Sequence, residues 1–128
     1  MIKVLASAAA LMMVAAGQPA AAQTQAEMNA RAGADLRRAD HALNAQWKQT
    51  YALMKERDAE DGRRGGGLGY AAATLASQRA WLQFRDKQCV IEGGEVAGGS
   101  MQPMVRGQCL ARLTRERTKQ LKDLMWTR

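Results

Sequence analysis

Apolar residues return at steps of three, four and seven between Gln25 and about Glu60: Met28, Ala32, Leu36, Ala39, Leu43, Trp47, Tyr51 and Met54. Such steps stack side chains on one face of a helix, and Arg37, Arg38, Asp40, Lys48, Lys55 and Arg57 populate the remaining surface. No proline interrupts this stretch, so it predicts one long amphipathic helix. The glycine-rich run from Asp61 to Gly69 ends it, because glycine loses the most backbone entropy in a helix. A second helical pattern starts near Tyr70 and runs through Leu75, Arg79, Leu82, Asp86 and Cys89 towards Glu92, with Trp81 and Phe84 flanking the stripe. Gly93-Gly94 and Gly98-Gly99-Ser100 break it, and Pro103 suits the first turn of a third helix. That helix carries Met104, Val105, Cys109, Leu110, Leu113, Leu121 and Leu124 on one face, with cations gathered in its C-terminal half where they complement the dipole. No stretch alternates as a half-buried strand does. The fold class expected is all-α, an antiparallel three-helix bundle.

Residues 1–22 do not join this pattern. Lys3, the apolar run Val4 to Ala16, Gln18-Pro19 and the small residues Ala20-Ala21-Ala22 read as a secretory signal cleaved before Gln23. Residues 23–128 are then a single mature domain, periplasmic or secreted. The apolar run is too short to span a bilayer, and no later segment approaches the roughly 20 apolar residues that a transmembrane helix needs. Export also decides the cysteines. The chain has two, Cys89 and Cys109, and an oxidising compartment with none left over makes their pairing the expectation. The bridge closes a loop of about 20 residues, worth about 3 kcal/mol in the chain-entropy model, and ties the second helix to the third.

Lys and Arg number 19 against 12 Asp and Glu, a net charge of +7 that falls to +6 once Lys3 is removed. In the cell envelope the anions within reach are membrane phosphates, acidic polysaccharide and acidic proteins. Nucleic acid is excluded by the compartment. Catalytic constellations are thin. The single histidine, His41, neighbours Asp40, and adjacent helical residues do not face each other. Ser77 and Ser100 lack a nucleophile-elbow context. A glycosidase needs two carboxylates across a cleft, which a short three-helix bundle does not readily supply. The glycine-rich run lacks the Lys-Ser/Thr ending of a nucleotide loop and reads as a connector. Met101 and Met104 are a thioether pair of the kind that holds copper(I), although methionine more often fills core gaps. No enzyme activity, cofactor or metal is assigned. Trp81 and Phe84 are expected to pack the bundle, with Arg85 paired to an acid such as Asp86 or Glu116.

The run Gln78-Arg79-Ala80-Trp81-Leu82-Gln83-Phe84-Arg85-Asp86-Lys87-Gln88-Cys89 resembles the signature of the LprI-type lysozyme-inhibitor N-terminal domain family, a small exported helical domain. The similarity continues through Gly98-Gly99-Ser100 and Pro103-Met104 into Cys109-Leu110-Ala111-Arg112-Leu113-Thr114-Arg115-Glu116-Arg117-Thr118. Met28 to Ala32 and Ala39 to Asn44 are similar to the family's opening helix. The family commonly places a cysteine where this chain has Arg31, which leaves Cys89 and Cys109 to each other. The resemblance implies inhibition of lysozyme by a stoichiometric partner, with no cofactor and no catalytic residue. Its motif residues here are Gln78, Arg79, Trp81, Phe84, Arg85, Asp86, Gly99, Ser100, Leu110, Thr114 and Arg117. For Arg79, Trp81, Arg85 and Asp86 the structural role expected is a buried Arg–Asp network that fixes helix register. Many lysozymes are basic, so a basic inhibitor needs local acids for docking. Asp58, Glu60 and Asp61, or Glu92 and Glu95, are the candidates. The alternative function is an envelope protein whose basic helices bind anionic polymers in a salt-sensitive way, without affecting lysozyme.

Overall fold

The computed structural model describes residues 23–60 and 67–126, so the signal reading of Met1–Ala22 and the candidate acid Asp61 lie outside the described residues. Three helices are present: α1 (Gln25–Glu60), α2 (Tyr70–Gly93) and α3 (Gln102–Asp123), with a 3-10 turn at Gly94–Val96 before the third. The described residues contain no strand. A reciprocal cap opens α1: the Glu27 amide donates to Thr24 Oγ1 at 3.2 Å and the Thr24 amide to Glu27 Oε2 at 2.9 Å. Two amides that the first turn would leave unpaired are thereby satisfied.

Side-chain bridges set the directions of the helices. Asn29 donates to the Ser100 carbonyl and, further along, buried Thr50 donates to the Leu121 carbonyl, so α1 and α3 run parallel. The Cys89–Cys109 disulfide joins the end of α2 to the first half of α3, and Arg117 reaches back to Ser77 near the start of α2, so α2 runs antiparallel to α3. The most extensive helix packing is that of α1 against α3. Small residues allow that approach: Ala32, Ala39, Gly107 and Ala111 are buried, and a Cβ added at Gly107 would sit 3.3 Å from the Ala32 Cβ. One core cluster unites Cys89, Cys109, Leu110 and Leu113 with Leu36 packed against it. Leu43, Met54 and Leu121 are also buried, with Thr50 and Thr114 fully enclosed.

On α1 the buried stripe passes through Thr50 rather than Tyr51, which instead stacks on Trp47 with ring centroids 5.0 Å apart. The larger difference concerns α2. Its inward face is Thr74, Gln78, Trp81, Arg85 and Cys89, about one residue or 100° away from the expected stripe through Leu75, Arg79, Leu82 and Asp86. Gln78 and Arg85 turn inward because α3 presents Arg117 and Thr114 to them, while Thr74 donates to the Tyr70 carbonyl of its own helix. Phe84, expected in the core, faces outward with 54 % of its surface exposed.

Asp58, near the end of α1, caps α2. Its two oxygens accept from the Tyr70 amide at 2.7 Å and the Ala71 amide at 2.8 Å. Gly69 makes the approach possible, with φ at +81° and space in which an added Cβ would lie 3.2 Å from Asp58 Oδ2. Replacing Asp58 by alanine should lower stability by about 1 to 2 kcal/mol, the range of a lost N-cap plus its charge at the helix dipole. Urea midpoints for the alanine and asparagine variants check this, with asparagine expected to retain part of the cap.

Candidate functional site

Most of the signature residues form one internal network between α2 and α3. Arg117 is only 8 % exposed. Its Nε donates to Gln78 Oε1 at 2.9 Å, Nη2 to Ser77 Oγ at 2.9 Å and Nη1 to Gln120 Oε1 at 3.2 Å. All three acceptors are neutral, and burial pulls the Arg117 pKa down from its ordinary value. The guanidinium also approaches the Trp81 ring, 6.0 Å from its centroid, while Arg85 stands 5.2 Å from the same centroid. Arg85 donates to Asp40 of α1 at 3.1 Å and to Thr114 of α3 at 3.2 Å, and pairs with Asp86 at 3.0 Å. One arginine thus touches all three helices. Leu110 lies in the core, Gly99 closes the turn by donating to the Val96 carbonyl, and the Ser100 carbonyl holds Asn29. Of the eleven signature residues, only Arg79 and Phe84 are exposed on α2 without a polar bond to other described residues.

The two alternative groups of candidate docking acids stand at opposite ends of α2, with Asp61 outside the described residues. Asp58 and Glu60 stand at the end of α1 beside the start of α2, whereas Glu92 and Glu95 stand at the other end of α2, about 35 Å away at 1.5 Å per residue. Asp58 is engaged as the cap of α2. Glu92 accepts from Gln88 at 3.1 Å and receives Arg112 Nη2 at 2.9 Å on each oxygen. Glu95 is exposed in the 3-10 turn and makes no ion pair or hydrogen bond with other described residues.

Two surface carboxylates have pKa values held below the usual range. Hydrogen bonding from Arg115 does this for Asp35, at 2.7 Å, and hydrogen bonding from Gln88 and then Arg112 does it for Glu92. Because the folded values are depressed, their stabilisation is present above the unfolded pKa and is lost as pH falls through the folded one. Glu92→Gln and Asp35→Asn should therefore flatten the decline of stability between about pH 5 and pH 2. Urea midpoints measured across that interval check the slope.

The outward side of α2 is the surface that sequence patterning missed. Val90 and Ile91 are 60 % and 71 % exposed, and with Phe84 they are helical neighbours of Lys87 at three and four residues. The signal was present at Cys89: a residue turned into the core by its disulfide forces the two that follow it, at 100° and 200° around the helix, away from the core. Elsewhere, a concavity of about 260 Å³ between α1 and α2 is lined by Leu43, Trp47, Leu75 and Leu82 with Asp40 and Arg79 at its polar edge. His41 is exposed on α1. No group of three or more His, Cys, Asp or Glu able to hold a metal ion occurs among the described residues, and none of their helices is long and apolar enough to cross a membrane.

Comparison with known proteins places this arrangement. The chain is 43 % identical over 105 residues to an uncharacterised protein of Rhizobium meliloti (strain 1021), an alignment covering 81 % of this chain and 76 % of the relative. No solved structure matches it. The family model described as lysozyme inhibitor LprI matches residues 15–121, which span every helix of the bundle but the last few residues of α3, and the chain belongs to that family.

Proposed function

We propose that this protein is exported and inhibits a lysozyme-type muramidase by binding it one to one, without catalysis, cofactor or metal. Family membership supports the target class. The observation that carries the mode of action is the outer face of α2, where Phe84, Val90 and Ile91 are each more than half exposed on a bundle with few large apolar side chains to give away. Apolar residues clustered on a small domain mark an interaction surface rather than a fold requirement. The signature arginines Arg85 and Arg117 and their partners brace the helices, so recognition falls to the residues that point outward.

Titrating the oxidised protein into muramidase assays with several lysozyme classes, one of them acidic, tests this. The expected result is a saturable loss of activity with a break at one equivalent for at least one class. Full activity of every class at micromolar excess, together with salt-sensitive binding to anionic envelope polymers, would instead establish the alternative function.

A further inference from the structure

We propose that the outer face of α2 docks into the substrate cleft of the inhibited muramidase, with the Lys87 ammonium set against the carboxylates that flank the scissile bond. The proposal rests on the inhibitor reading above and adds the part of the target that is recognised. Lys87 follows Phe84 by three residues and precedes Val90 and Ile91 by three and four, the spacings at which helical side chains are surface neighbours. It is therefore a cation with apolar neighbours on three sides and the exposed Gln83 on the fourth. Lys87 is exposed and makes no ion pair, hydrogen bond or ring contact with the described residues. Arg79, two turns earlier and about 80° around the helix, at the edge of the α1–α2 concavity, is likewise exposed and without such a contact. The acids of α2 are engaged elsewhere, Asp86 with Arg85 and Glu92 with Arg112. The face is thus apolar and cationic, with no uncommitted carboxylate within it.

A glycosidase cleft has the complementary character. It carries a pair of carboxylates about the scissile bond, one of them held in an apolar setting that raises its pKa. An ammonium on a four-carbon stem reaches such a pair, and the neighbouring Phe84, Val90 and Ile91 exclude water from the contact, as the rim of a binding hot spot does. This arrangement also answers the objection from net charge. Repulsion between two basic proteins acts at long range and is screened beyond a Debye length of about 8 Å at physiological salt, whereas the local field at the cleft is that of its own acids. Of the acids that the sequence offers for docking, Asp58 and Glu92 are engaged within the bundle, and Glu95 lies two turns from Lys87, just past the end of the helix.

The test uses the oxidised protein and a lysozyme that it inhibits, with tri-N-acetylchitotriose as the probe of the cleft. Chitotriose should raise the apparent Kd in proportion to its occupancy. Lys87→Glu should weaken inhibition at least 100-fold and Lys87→Met about 10-fold, with melting temperatures unchanged, and replacing the general acid of the lysozyme by its amide should weaken binding of the unaltered inhibitor. A complex that forms equally well with chitotriose-saturated lysozyme, or that is indifferent to Lys87→Glu, overturns the cleft proposal while leaving the inhibitor reading intact. A dimer of this chain in sedimentation that Phe84→Asp dissociates, with inhibition preserved, overturns it as well by assigning the face to a second copy. Absence of a complex with every lysozyme class removes both.

Discussion

Replacing Arg117 with alanine is expected to lower the unfolding free energy by about 3 kcal/mol, the largest loss of any single polar substitution in this domain. Three hydrogen bonds from the guanidinium disappear at once, to Gln78, Ser77 and Gln120. Gln78 is itself buried, so its carbonyl oxygen is left without a donor in a place that water does not freely reach. Leaving such a group unsatisfied costs about 1 to 3 kcal/mol, and truncation of the long arginine stem adds a packing loss. For a domain of this size the melting temperature should drop by about 15 °C. Lysine at the same position keeps the charge but has no planar fork to serve acceptors on opposite sides, so it should recover only a minority of the loss. Asp86→Ala should do far less, since its carboxylate is more than half exposed and Arg85 keeps Asp40 and Thr114 as partners.

Removing the disulfide with Cys89→Ala and Cys109→Ala together is expected to lower stability by about 3 kcal/mol, because the unfolded chain regains the freedom of the closed loop. The bridge spans 20 positions and both cysteines are buried, Cys89 completely. The unfolded ensemble also expands, so the urea dependence should steepen in the double variant. Unaltered protein unfolded in the presence of dithiothreitol should match the double variant closely. The two losses should add, since Arg117 meets α2 about three turns before the disulfide does and shares no partner with it.

How much of this was legible in the sequence differs between the helices. The expected bounds of α1 agree with Gln25–Glu60, since its apolar residues recur at helical steps and a glycine run follows. The disulfide followed from parity and compartment. On the inward face of α2, Trp81 and Cys89 were legible, whereas Gln78 and Arg85 score as surface residues until α3 supplies Arg117 and Thr114. Phe84 is the converse, an aromatic whose position around the helix leaves it outside. Asp58 had the composition of a docking acid, but its work as a cap depends on the return of the chain to Tyr70, which no local pattern encodes. The Thr24–Glu27 capping box was readable from spacing alone. Resemblance identified the signature as a set; only the contacts divide it into residues that brace the helices and residues that face out.

That division is the central claim: Arg85, Arg117, Gln78 and Trp81 hold the bundle together, and the outer face of α2 binds the target. The most direct measurement is a paired one on a Phe84→Ser, Ile91→Ser double variant, its thermal unfolding and its inhibition of the responsive lysozyme. The account predicts a melting temperature within about 2 °C of the unaltered protein, as expected for exposed positions, together with loss of inhibition at one equivalent. Undiminished inhibition at the same stoichiometry would contradict it.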